Sequence, residues 1–319
     1  MIYFVYFNLD GYITQIANFI TSTFDEMGIP YRKIFIDNLL ELDVAKDNPS
    51  MMVLFHPSYE WDRYFKDINA IPCHKILWDL ESPFELDVIK KGIDHIMYLL
   101  IMDKNSADHI KTQYPDKEVK FVPCSCYPPK HSHVNVDKLY KYRSDLCFVG
   151  APFRSRVNFF REVKDALADY YLTIIGYSWH GTMDWGNQNL INDIMPVEEV
   201  TKYYSGAKIA LNLQRQNSDA WGHNESNVKA SSPANRLFEI ACSGTCQMVD
   251  NSRCPEIFEY FDENEIVVFT SPTDFLEKLK YLMNHPSKRD EIGTRAMKKA
   301  QSLYAYRNRI DASFFGLIK

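Results

Sequence analysis

Pro233-Ala-Asn-Arg-Leu-Phe-Glu239-Ile-Ala-Cys-Ser-Gly244, followed by Pro255-Glu256, is the stretch on which the reading of this chain turns. It opens on a proline and closes on a glycine, the punctuation of a short helix. Arg236 and Glu239 stand one turn apart on a common face, while Leu237, Phe238, Ile240 and Ala241 supply the apolar side. A loop rich in Asn, Ser and Gly, residues 217–232, leads into it. A helix that fixes a carboxylate beside a polar loop suits recognition of a ribose and a diphosphate.

On both sides of this helix, strand-like and helix-like runs alternate. In the first half, apolar runs at Ile2–Phe7, Tyr31–Ile36, Met51–Phe55, Lys75–Asp79, Ile96–Met102 and Lys120–Pro123 read as strands, with helical periodicity at Tyr12–Met27 and Lys104–Gln113. Asn8-Leu-Asp-Gly11 reads as a turn. Apolar periodicity then stops in a linker rich in Pro, His and Lys, Tyr127 to Ser144. The second half restarts the pattern. Strands are expected at Leu146–Val149, Tyr171–Ile175, Ile209–Leu213, Cys246–Val249 and Ile266–Phe269. Helices are expected at Arg156–Leu167, Val197–Tyr204, Ala234–Cys242 and from Pro272 to the end. Such alternation predicts an α/β fold: two Rossmann-like domains, each with a mostly parallel sheet, facing across a cleft. The expected division is 1–135, 144–300, and a helix over 301–319 packing back on the first domain.

The totals agree with this and narrow the function. With 319 residues, 46% of them hydrophobic and 24% charged, the chain is globular and long enough for two domains. A net charge of −6 argues against gripping nucleic acid by bulk charge. The 20 Tyr and 20 Phe are expected chiefly in cores and domain interfaces. None of the seven cysteines shows metal-site spacing, and their odd number fits reduced thiols and a cytoplasmic protein. His131-Ser-His133 reads as a solvated loop. The amino terminus lacks a signal peptide's basic region, and no apolar run reaches the ~20 residues that span a bilayer.

The 233–256 stretch resembles the donor-site segment of glycosyltransferases of two-Rossmann-domain (GT-B) architecture. In particular it resembles the CgeB-like spore-maturation family, with its Arg-(apolar)-Phe-Glu helix, small-residue-Gly turn and Pro-Glu. The resemblance continues to a charged terminal helix, Pro286 to Tyr306, and covers most of residues 144–306. It implies a hexosyltransferase type of enzyme, with an amino-terminal acceptor domain and a carboxy-terminal donor domain. The donor would be a nucleotide-sugar, with a UDP-sugar expected, which is a substrate rather than a cofactor. No cofactor or metal is expected. The acceptor would be a hydroxyl of a glycan, a protein or a modified DNA base.

Individual residues then take expected roles. Phe148-Val-Gly150-Ala-Pro-Phe-Arg154-Ser-Arg156 brings a glycine turn, a helix start and two arginines to one point. Arg154 and Arg156 would stabilise charge on the leaving phosphate. By the resemblance, Glu239 accepts from the ribose hydroxyls, within a donor set that includes Gly150, Asn235, Arg236 and Gly244. Asn212, Gln214 and Arg215 end a strand that, by the same resemblance, would face the donor. Many retaining relatives carry a second glutamate eight residues before this one; here that position is Ser231. Trp221, His223, Asn224 and Lys229 lie in the loop expected to close over substrate.

In the first domain, Asp79 and Glu81 cap an apolar strand, and either would serve as a base or bind a hydroxyl. His56 is a further candidate base. Gly11 would let a ligand approach the backbone. A rival reading makes Asp79-x-Glu81 the metal-binding element of a single-domain transferase. Three more alternatives are a viral-type DNA-base transferase, a non-catalytic assembly protein, and a sugar-phosphate epimerase on the same fold.

Overall fold

The computed structural model describes residues 1–7, 11–219 and 222–314. Asn8–Asp10 of the expected first turn, Trp221, and residues 315–319 lie outside the described residues. The chain divides into two compact units, the first made of three stretches and the second of two. Met1–Pro123, Ala220–Ser232 and Tyr306–Lys319 form the first; Cys124–Asp219 and Pro233–Ala305 form the second.

The first unit contains β1 (Ile2–Tyr6), α1 (Tyr12–Met27), β2 (Tyr31–Phe35), α2 (Val44–Asp47), β3 (Met51–Phe55), α3 (Phe65–Ala70), β4 (His74–Trp78), α4 (Leu86–Lys91), β5 (Tyr98–Ile101), α5 (Lys104–Gln113) and β6 (Glu118–Phe121). The strands pair in parallel in the order β2-β1-β3-β4-β5-β6. Every residue of Met51–Phe55 is buried, because parallel strands are covered on both faces and are therefore uniformly apolar. One core joins Tyr3, Val5, Met52 and Leu54 to Trp61, Leu99 and Ile110.

The second unit contains α6 (Pro128–His131), β7 (Ser144–Val149), α7 (Arg154–Val163), β8 (Leu172–Ile175), β9 (Asn189–Ile191), α8 (Val197–Gly206), β10 (Ala207–Asn212), α9 (Asn235–Ser243), β11 (Gln247–Asp250), β12 (Val267–Phe269), α10 (Pro272–Asn284) and α11 (Pro286–Leu303). Its parallel order is β12-β11-β10-β7-β8-β9. Aromatic rings fill this core edge to face: Phe148, Phe160 and Trp179 touch one another, and Trp185 packs on Phe160 and Trp179. The last helix, α12 (Tyr306–Phe314), belongs to the first unit and packs against α1.

Three expectations about chain division need correcting. The linker around 127–144 folds into the second unit: α6 packs against α8 and α9, and Val136 and Tyr142 join the core. Residues 220–232, expected with the second domain, belong to the first unit. The terminal helix expected over 301–319 to pack back on the first domain does lie in the first unit, but it begins at Tyr306, after α11 ends at Leu303.

Strand order reverses between β1 and β3 in the first sheet, and between β7 and β10 in the second. Doubly wound sheets open a crevice at the carboxyl ends of the strands flanking such a reversal, and ligands bind there.

Candidate functional site

At the reversal in the second unit, β7 runs into Gly150. A Cβ on this residue would lie 2.8 Å from the Arg156 guanidinium, so any larger residue would make that side chain shift. Arg156 donates from Nε to the Leu213 carbonyl at 2.8 Å, at the end of β10, and from Nη1 to the Ala151 carbonyl at 3.0 Å. Burial pulls its pKa down to about 10. Asp250 and Asp219 oppose that shift, and the neighbouring charges of Arg236 and Arg215 add to it. Arg156 and Arg215 both lie over the Phe153 ring, at 4.7 and 4.8 Å. Arg215 is itself buried, and donates to the Asp219 carbonyl at 3.3 Å. Three guanidiniums therefore gather at the carboxyl ends of β7 and β10.

Helix α9 starts beside them. No side chain caps its amino end, and Gly244 closes it in the left-handed conformation, φ 77°. Asn235, on the first turn, is buried, and its Oδ1 has no hydrogen-bond partner among the described residues. Arg236 Nη1 donates to Glu239 Oε2 at 2.6 Å. Glu239 is only 2% exposed, so the pair is interior rather than on the helix surface. Its Oε1 faces His131 Nε2 at 3.7 Å. Sequence reasoning placed His131 in a solvated loop, but it is 3% exposed at the end of α6. Its neighbours in sequence are polar and proline-rich. Only the folding of that segment against α9 brings it inward.

Other expected donor residues do structural work. Asn212 donates to Gln247 at 3.4 Å inside the sheet. Gln214 donates to the Asp250 carbonyl at 3.1 Å and accepts from the Ala234 N–H at 3.3 Å, stapling β10 to β11 and to the start of α9. Arg154, two residues from Arg156 and so on a different side of α7, is exposed. It lines a separate polar cavity of about 510 Å³ with Ser155, Gln216, Asp250 and Ser252. Gly244 serves packing: a Cβ on Gly293 of α11 would lie 2.0 Å from its carbonyl oxygen. Glu256 is exposed before a short 3-10 turn, Ile257–Glu259.

The loop expected to close over substrate is pinned to the first unit. Asp103, fully buried at the cap of α5, accepts from the N–H groups of Ser231 at 2.7 Å and Ser232 at 2.9 Å. It also caps its own helix through Ser106 N–H at 2.9 Å. Further along, the Asp87 N–H donates to the His223 carbonyl at 3.0 Å, and the His223 ring lies 4.5 Å from that of Tyr59. Asn224 closes the loop on itself through both the N–H and the carbonyl of Val228. Ser231, eight residues before Glu239, is held by Asp103.

In the first unit, Gly11 and His56 follow β1 and β3, the strands that flank the reversal. Gly11 has φ 92° with open space where a side chain would be. His56 is 8% exposed and also has positive φ, 48°, a conformation that costs a non-glycine residue energy and clusters at functional sites. Asp79 is buried; its Oδ1 accepts from Glu81 N–H and its Oδ2 from Ser82 N–H, both at 3.0 Å. Burial pushes its carboxyl pKa up, against the pull of Ser82, Glu81 and the nearby His56. Glu81 is half-buried in the turn that Asp79 holds. Among the described residues, no group of three or more His, Cys, Asp and Glu side chains is placed to hold a metal, and no helix is long and apolar enough to cross a membrane.

Two parallel six-stranded sheets in Rossmann-like units are the architecture of GT-B glycosyltransferases. The chain belongs to the Glycosyl transferase-like family, whose family model matches residues 154–314. It is 24% identical over 277 residues to the spore protein CgeB of Bacillus subtilis (strain 168), covering 85% of this chain and 83% of that one. In fold it is similar to Anabaena HepE, solved in complex with UDP-glucose, with TM-score 0.65, 8% identity, and 99% and 100% of the two chains covered. It is likewise similar to a glycosyltransferase from Rickettsia africae ESF-5, with TM-score 0.63, 10% identity, and 98% and 96% covered.

Proposed function

We propose that the second unit binds a nucleoside-diphosphate sugar, a UDP-sugar foremost, and that the protein transfers the sugar to a hydroxyl of an acceptor held by the first unit. The carrying observation is the gathering of Arg156, Arg215 and Arg236 at the strand reversal. Like charges held close together repel and are costly to desolvate. A diphosphate offsets that cost, and its charge grows as the sugar bond breaks, so guanidiniums fixed beforehand stabilise the transition state. They supply there the charge that a divalent cation supplies in metal-dependent transferases, and the reading therefore needs no metal. Glu239 takes the ribose hydroxyls, and the Asn235 Oδ1 accepts from a donor hydroxyl. On the acceptor side His56 is the candidate base, because both Asp79 oxygens are committed to holding the turn.

A thermal-shift panel of UDP, GDP, ADP, CMP and dTDP, with and without EDTA, tests this on the wild type and on Arg156→Met. One diphosphate should raise the melting temperature with or without EDTA. Arg156→Met should weaken that ligand roughly 10- to 100-fold, the loss expected for a charge-assisted contact of about 1.5–3 kcal/mol. A wild type that responds to no nucleotide sinks the transferase reading; a response that EDTA abolishes overturns its metal independence.

A further inference from the structure

We infer that His131 is a positioning residue of the donor site, one that aims the Glu239 carboxylate at the ribose. The inference rests on the donor-site reading above. To accept from two adjacent hydroxyls, a carboxylate must present both oxygens in one plane, and a glutamate has three rotatable bonds with which to lose that aim. Arg236 fixes one oxygen, Oε2, at 2.6 Å. The other, Oε1, has the imidazole of His131 beside it.

The ring is itself held. The Tyr127 N–H donates to His131 Nδ1 at 2.9 Å. The Tyr127 carbonyl lies 3.0 Å from the same nitrogen; in the tautomer where Nδ1 accepts from the N–H, the ring proton sits on Nε2, the atom that faces Glu239. At 3.7 Å this contact is electrostatic rather than a hydrogen bond. The support extends outward: the Lys130 carbonyl accepts from Thr201 Oγ1 at 2.9 Å, and Ser132 Oγ accepts from Gln301 at 3.0 Å, tying α6 to α8 and α11. Partners behind a functional carboxylate commonly set its orientation in this way.

The test compares UDP with 2′,3′-dideoxy-UDP on each of five proteins: wild type, Glu239→Ala, His131→Phe, His131→Leu and His131→Gln. The affinity ratio of the two ligands isolates the ribose hydroxyls, and because it is taken within one protein, partial unfolding cancels. Wild type should prefer UDP by about tenfold or more, as expected for hydroxyls bonded to a charged group, and Glu239→Ala should abolish the preference. His131→Phe and His131→Leu should reduce it to within about threefold, as the ordering cost of a freed side chain implies. His131→Gln, which keeps an N–H donor at similar reach, should restore most of it.

Full preference in the Phe and Leu variants overturns the inference and leaves the donor site standing. So does an equal loss for both ligands, which would mark His131 as merely structural. A wild type without preference, or a Glu239→Ala variant that keeps it, removes the donor-site role of Glu239 and the inference with it.

Discussion

Asp103→Asn should unfasten residues 222–232, and its cost can be worked bond by bond. One oxygen of Asp103 serves its own helix, taking Ser106 N–H and Oγ at 2.9 Å each. The other takes Ser231 N–H at 2.7 Å, Ser232 N–H at 2.9 Å and Ser231 Oγ at 3.3 Å. Asparagine keeps one acceptor oxygen, and the helix cap claims it. Its NH₂ then confronts two backbone N–H groups at a fully buried position. Each orphaned donor costs about 1–2 kcal/mol, while removing a buried charge returns part of that, so the net loss is about 2–3 kcal/mol.

For a unit of this size each kcal/mol moves the midpoint by roughly 2–4 °C, so the first melting transition should fall by about 5–10 °C. Urea unfolding measures the free energy. Limited proteolysis should show cleavage within 222–230 well before global unfolding. A free-energy change below about 0.5 kcal/mol, the level of an ordinary surface substitution, would refute the clamp.

Two further outcomes follow from packing and charge. Gly293→Ala places a Cβ 2.0 Å from the Gly244 carbonyl oxygen, backbone against backbone, and should destabilise the second unit by about 3 kcal/mol or more, read from a denaturant midpoint. Burial pushes the Glu199 pKa up, but hydrogen bonds from Lys202, Tyr142 and Lys141 outweigh it and bring the carboxyl from 4.5 to about 2. A depressed carboxyl contributes stability above its unfolded value and loses it as pH falls through the folded one. Glu199→Gln should therefore cost about 1 kcal/mol at pH 7, allowing for solvent screening of this partly exposed cluster. The gap should close between pH 4.5 and 2 in melts across that range; a gap that persists at pH 2 would point to lost packing.

The regular elements were legible because their periodicity is local. Tyr12–Met27, Met51–Phe55 and Lys104–Gln113 carry the expected bounds. β9 escaped notice because its three residues are only half-buried and show no alternation. The linker misled by composition: proline, histidine and lysine suggest solvent, yet the α6 segment is pressed against α8 and α9. What attaches residues 220–232 to the first unit was invisible for another reason. The donors are backbone N–H groups, which every residue has, and the acceptor lies 128 residues away. At the site, Gly150, Arg236 and Glu239 stood out by spacing. The division of labour among Arg154, Arg156, Gln214 and Arg215 did not, because it depends on which way each side chain turns from its strand or helix.

The chain passes between the two units at residues 123–124, 219–220, 232–233 and 305–306. Neither half is therefore a portable cassette. A single splice that grafts a relative's second half onto this protein carries residues 220–232 and α12 away with it, leaving Asp103 without its two serine N–H groups and α1 without its neighbour. Exchange of the second unit by recombination would need matched crossovers at all four passages, whereas point changes around β7, β10 and α9 need none. Variation in what this architecture transfers is thus expected to accumulate by substitution within the crevice rather than by shuffling of whole units.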